Sequence, residues 1–184
     1  MDIKHYFKKL LQDYFKSRIH YSSNTDRLPF DYKDINKMGL LFFIEGKEDL
    51  DRVRAVVRLA RKDNKKTNPI IFSDVNHSVD VITDRGFFIF NADDFDYRWK
   101  PKSELKTWLK ENEYDLLINF CFKDIPEVLN MYSIVNSNFK IGNQYQGSSN
   151  LNDLTINIKK KQVDFNAFYN LAIENLRMLN IKRN

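Results

Sequence analysis

The fold turns on Glu113 to Gly142, EYDLLINFCFKDIPEVLNMYSIVNSNFKIG. YDLLINF is a short apolar run, IPEVLNMYSIVNS has helical length with Pro126 near its start, and NFKIG is a second short run ended by Gly142. Strand, helix and strand in that order make the βαβ unit of a parallel sheet. Ligands of such sheets sit beyond the carboxyl ends of the strands, and there this chain reads FCFKDIP where a glycine-rich turn could stand. Asp124 is the expected cap of the helix that follows.

The same rhythm runs outward in both directions. GLLFFIEG, Gly39 to Gly46, is a continuous apolar run bounded by glycines, the pattern of a strand covered on both faces. KEDLDRVRAVVRLARKDNK follows with Leu50, Val53, Val56, Val57 and Ala60 at helical spacing and acidic residues in its first turn. NPIIFSD is a second strand. After the less regular VNHSVDVITDR, GFFIFNADD reads as a third buried strand ending in an acidic cluster. Pro101 and Ser103 open the helix SELKTWLKEN, with Ser103 as N-cap. Beyond the polar loop NQYQGSSN, the alternation in LTINIK predicts an edge strand. The last helix places Phe165, Phe168, Tyr169, Ala172, Ile173 and Leu176 on one face, capped by Asp164. About six strands alternate with five helices, which predicts a single α/β domain: an open, mostly parallel, doubly wound, Rossmann-like sheet.

Ahead of it, Ile3, Tyr6, Phe7, Leu10, Leu11, Tyr14 and Phe15 fall on one side of a helix whose other positions include Lys4, Lys8, Lys9 and Lys16. The expected organisation is a basic amphipathic helix over 1–20, a linker over 21–38 rich in turn formers, and the Rossmann-like domain over 39–184. At 184 residues, 42% hydrophobic and 14% aromatic, the chain supports one good core. A lone cysteine, Cys121, excludes an internal disulfide; with no secretory leader apparent, the expected location is cytoplasmic. Apolar runs such as Met38 to Ile44 are too short to span a bilayer. The net charge of +5 points weakly to anionic partners, because Lys, Asn, Ile and Phe are also what an AT-rich genome supplies.

Five glycines, at 39, 46, 86, 142 and 147, form neither G-x-G-x-x-G nor a P-loop, which argues against ordinary dinucleotide and P-loop chemistry. His5, His20 and His77 with one cysteine give no zinc pair at usual spacing. No cofactor is implied. Three constellations remain. Asp93, Asp94 and Asp96 follow the third strand, and the D-x-D of Asp94 and Asp96 could hold a divalent ion bridging to a diphosphate, or could simply turn the loop. Cys121 and His77 both follow strands, so a thiol–imidazole pair is geometrically open, although a lone cysteine after an apolar strand is commonly a small buried hydrophobe. Asp74, Lys123 and Gly142, at or just past strand ends, complete the ligand-binding candidates at this edge. The third is the first helix, whose Lys8, Lys9, Lys16 and Arg18 could meet an anionic membrane, a protein or RNA. Its apolar face could equally pack on the protein itself. No specific nucleic-acid motif accompanies it.

Asp96 to Pro101, Tyr114 to Ile118 and Phe139 to Gly142 resemble an uncharacterised family of small Bacteroidota proteins. In that family an Asp-aromatic-Lys-Pro element precedes a helix, a "fDlLI" strand, a second helix and "FkvG". The resemblance covers Gly39 to Gly142; at Asn136 to Asn138 this chain departs from the family's small-residue pattern. It implies the fold and a bacterial, cytoplasmic setting, and no activity. YDLLINF, helix, FKIG is also similar to the amino-terminal Rossmann-like half of lipopolysaccharide heptosyltransferases. That similarity implies a half without the second Rossmann domain, which in those enzymes carries most of the sugar-nucleotide site. The leading expectation is therefore a non-catalytic Rossmann-like binding or interaction module. The alternatives are a transferase-like protein holding a sugar nucleotide or small anion through Asp94 and Asp96, and a peripheral membrane or ribosome-associated adaptor acting through the first helix.

Overall fold

The computed structural model describes residues 32–73, 86–144, 151–158 and 164–181. The expected first helix, with Lys8, Lys9, Lys16 and Arg18, lies outside them, as do Asp74 and His77. In chain order the regular elements are β1 (Lys37–Ile44), α1 (Lys47–Lys62), β2 (Lys66–Ser73), β3 (Phe88–Phe90), α2 (Ser103–Glu111), β4 (Tyr114–Asn119), α3 (Pro126–Ile134), β5 (Ser137–Asn143), β6 (Leu154–Ile156) and α4 (Phe165–Ile181). The strands form one six-stranded sheet in the order β3-β2-β1-β4-β5-β6, and every pairing is parallel. This is the Rossmann-like α/β domain that the sequence predicts.

A parallel sheet must be covered on both faces, and β1 shows how its sequence meets that demand. Met38, Leu40, Phe42 and Ile44 enter one apolar cluster with Val53, Val56 and Ala60 of α1 and Phe168, Ala172 and Leu176 of α4. Leu41 and Phe43, facing the other way, join Leu105 and Leu109 of α2 and Val128, Leu129 and Met131 of α3. Two core layers therefore sandwich the sheet. The face predicted for the last helix is buried throughout, and the Asp164 side chain accepts the Asn166 amide at 2.9 Å as its cap.

Three local expectations need correction. The third strand is three residues long and half-buried, because it is an edge strand paired only with β2. Ser103 is the first residue of α2 rather than its cap; Lys102 takes that position and accepts the Lys106 amide on its carbonyl at 2.8 Å. At α3 the N-cap is Ile125, without a side-chain cap, and Pro126 supplies the preset φ of a first helical residue.

The chain enters β1 through a tight turn, Tyr32–Asp34, that packs on α4. Tyr32 and Ile35 are buried, the Lys65 ammonium donates to the Ile35 carbonyl at 2.6 Å, and the Tyr32 ring lies under both Lys65 (4.9 Å) and Arg177 (4.5 Å). The Tyr32 hydroxyl donates to Asp63. Burial, then the neighbouring carboxylate, push that phenol up to about 12.

Candidate functional site

Strand order reverses between β1 and β4: β1 leads to α1 on one face, and β4 leads to α3 on the other. Ligands of open α/β sheets bind in the crevice where the turns after two such strands diverge. Glu45 and Gly46 form one wall here, and Phe120 to Asp124 form the other.

Strand alternation continues past the end of β4 and decides what fills the second wall. The Phe120 amide donates to the Leu41 carbonyl at 2.7 Å, extending the β1–β4 pairing by one residue. Phe120 and Phe122 turn toward α4. Phe120 stacks on Phe42 at 4.6 Å and meets Phe168 edge-on at 5.3 Å, while Phe122 meets Phe168 edge-on at 5.0 Å and lies 6.0 Å from Phe165. Cys121 turns the other way, into the α2–α3 layer. Its amide is held by the Asn119 side chain at 2.9 Å and its Sγ donates to the Lys123 carbonyl at 3.1 Å. Burial pushes the thiol up to about 12, so Cys121 stays protonated at neutral pH and lacks the thiolate that a nucleophile needs.

Lys123 ends this turn, and its ammonium pairs across the crevice with the Glu45 carboxylate. Both side chains are more than half exposed, 54% and 57%, so the pair contributes no more than about 1 kcal/mol. Its significance is positional, since it joins the walls at the switch point. On the β1 side the Glu45 amide donates to Asp49 at 3.0 Å, a link from the strand end to the first turn of α1.

The acidic cluster after β3 is organised by the backbone. Asn91 and Asp94 form a reciprocal capping box: Asp94 accepts the Asn91 amide at 2.8 Å and Asn91 accepts the Asp93 amide at 2.8 Å. Asp96 accepts the amides of Arg98 at 2.8 Å and Lys100 at 2.9 Å, folding a loop in which Trp99 takes φ of 57°. The D-x-D carboxylates therefore already serve backbone donors, and no group of three potential metal ligands occurs among the described residues. Gly142 is an aperture for a side chain: a Cβ there would lie 2.5 Å from Asn152 Oδ1, which accepts the Tyr132 hydroxyl at 2.8 Å.

The structure thus brings Cys121 and Lys123 together, leaves Asp94 and Asp96 in a separate loop beside β3, and puts Gly142 in the β5–β6 seam. Sequence reasoning missed Glu45 as the partner of Lys123, because 78 residues separate them. It also missed Lys140, 2% exposed, whose ammonium donates to the Tyr132 carbonyl in the last turn of α3 at 2.7 Å. A lysine between Phe139 and Ile141 in an apolar strand was the available signal. At the opposite, amino edge of the sheet, Lys37, Glu113, Asp115 and Asn136 help to line a cavity of ≈ 420 Å³. Asp115 there accepts the amides of Asn36 and Lys37, both at 2.8 Å.

A model of a family of unknown function (DUF6913) matches residues 4–179. No curated protein matches the sequence. Among solved structures, the heptosyltransferase WaaC of E. coli with ADP is similar at 13% identity and a TM-score of 0.48, over 79% of this chain and 46% of its own. The catalytic domain of starch synthase IV from Arabidopsis thaliana, bound to ADP and acarbose, is similar at 12% identity and a TM-score of 0.36, over 92% of this chain and 36% of its own. This chain therefore spans less than half the length of either structure.

Proposed function

The chain belongs to the DUF6913 family of unknown function, and from that premise we propose that it is a non-catalytic binding module that meets its partner with the carboxyl edge of the sheet. One observation carries the reading. At the β1/β4 switch point the turn after β4 carries Phe120 and Phe122, packed toward α4, and Lys123, whose ammonium pairs with Glu45 across the crevice. A phosphate-binding turn needs open backbone amides at that point, and bulky side chains leave little room for one. The neighbouring chemistry agrees: the Cys121 thiol is held protonated, and Asp94 and Asp96 cap backbone amides. A bacterial, cytoplasmic setting belongs to the same proposal and rests on the motif resemblance. No helix among the described residues is long and apolar enough to cross a membrane.

The test is a thermal-shift screen of the full chain against nucleotides, sugar nucleotides and acidic metabolites, with and without magnesium or manganese. A ligand at about 100 times its Kd adds roughly 2.7 kcal/mol, or about 5–10 °C in Tm for a chain of this size. We expect no such shift. A metal-dependent shift that disappears in Asp94→Asn overturns the proposal in favour of a sugar-nucleotide or small-anion site. In cells, Cys121→Ala and Asp94→Asn are expected to replace the wild type fully; loss of function by either variant with its fold intact also overturns it.

A further inference from the structure

Four large apolar side chains are exposed among the described residues, and three of them lie on α4: Leu171 at 38%, Met178 at 52% and Leu179 at 46%. Leu171 and Met178, seven apart, share a stripe with exposed Ala167 and Glu174. The spacing 167, 171, 174, 178 alternates four and three residues, the pattern of a helix that takes another helix against it. The stripe faces away from the sheet, whose side of α4 is already filled by Phe165, Phe168, Tyr169, Ala172, Ile173 and Leu176.

The same alternation occurs in Ile3, Phe7, Leu10 and Tyr14, with Tyr6, Leu11 and Phe15 beside them. We infer that the outer face of α4 is the docking surface for the segment Asp2–Arg18 of this chain. Length and position fit. Both stretches have 17 residues, and as helices each would be about 26 Å long. Tyr32, the first described residue, lies with its ring under Arg177 of α4. The residues between Arg18 and Tyr32 can reach roughly 45 Å when extended, more than the length of α4. The family model begins at residue 4, so nearly all of the segment lies within the matched family region. Glu174 on the stripe suits a segment flanked by Lys4, Lys8 and Lys9.

Limited trypsin digestion of the full chain, with cut sites read by mass spectrometry, tests the inference. Cleavage after Lys8, Lys9, Lys16 and Arg18 is expected to be slow in the wild type. It should be at least tenfold faster in Leu171→Asp/Met178→Asp and, independently, in Leu10→Asp, while cleavage after Lys106 and Lys110 in α2 stays unchanged. Proteolysis follows the population of the opened state, so loss of buried apolar contacts reads out directly as rate. Fast cleavage of the wild type, or protection that the α4 variants leave intact, overturns the docking. Protection that appears only with phosphatidylglycerol vesicles assigns the segment to a membrane surface. Protection that fades on dilution assigns the face to a second copy. Either result overturns the inference.

Discussion

Cys121 shows how a residue's chemistry is set by the direction in which it points. The thiol packs in the α2–α3 layer, and desolvation raises it from 9.0 to about 12. An unfolded chain ionises this thiol from about pH 9, whereas the folded chain keeps it protonated. The stability it confers is therefore complete below pH 9 and declines as pH rises toward 12. By pH 10 that loss is on the order of 1 kcal/mol for this one group. The stability difference between wild type and Cys121→Ala, measured in urea, should narrow by about that amount between pH 7 and pH 10, with the tyrosines cancelling in the comparison. Parallel pH curves for the two proteins would show that the thiol is not held neutral. The sequence places Cys121, Asp94 and Asp96 at the sheet's carboxyl edge because each follows a strand. Whether their polar atoms are free depends on features that no spacing reveals: the Lys123 carbonyl beside the thiol, the Asn91 amide above Asp94, and the left-handed turn at Trp99 that brings two amides onto Asp96.

At the scale of elements, long strands are legible and edges are not. β1 and β4 announce themselves as apolar runs because both faces of a central parallel strand are buried. β3 looks equally apolar in GFFIFN, yet only Phe88–Phe90 pair, and Phe88 and Phe90 pack on the Trp108 ring at 4.5 Å and 5.2 Å. The β5–β6 seam is held by side chains rather than by strand length. Asn152 fills the space over Gly142, accepts the Tyr132 hydroxyl, and donates to the Thr155 hydroxyl at 3.3 Å. Asp153 completes the seam by accepting the Lys140 amide at 2.7 Å. Gly142→Ala should therefore cost roughly 1–3 kcal/mol in urea denaturation, because a methyl group must displace Asn152. In an Asn152→Ala background the same change should cost at least about 0.5 kcal/mol less, the coupling expected of groups in contact. Equal costs in both backgrounds would place the strain elsewhere.

For the molecule as a whole, the alternation of strand and helix specifies a parallel sheet, but not which strands are neighbours. That order decides where stability resides. β1 has a partner on each side and buries seven of its eight residues, while β3 and β6 hold three residues each at the two edges. Both core layers meet on β1, with Phe42 stacked on Phe120 under α4 and Phe43 stacked on Phe72 above the α2–α3 layer. Opening β1 therefore dismantles both layers at once, whereas β3 or β6 can open with most of the core intact. Native-state hydrogen exchange should show this as a gradient. Amides of β1 and β4 should exchange only through global unfolding, with the denaturant dependence of the whole domain, and those of β3 and β6 through smaller openings that respond weakly to denaturant. The buried face of α4 should open with β1, since Phe165 and Phe168 enclose Phe120. If β1 amides exchange as readily as those of β3, the domain is not one cooperative unit centred on the switch point. In that case the crevice between β1 and β4 opens locally and admits a ligand, contrary to a purely non-catalytic surface.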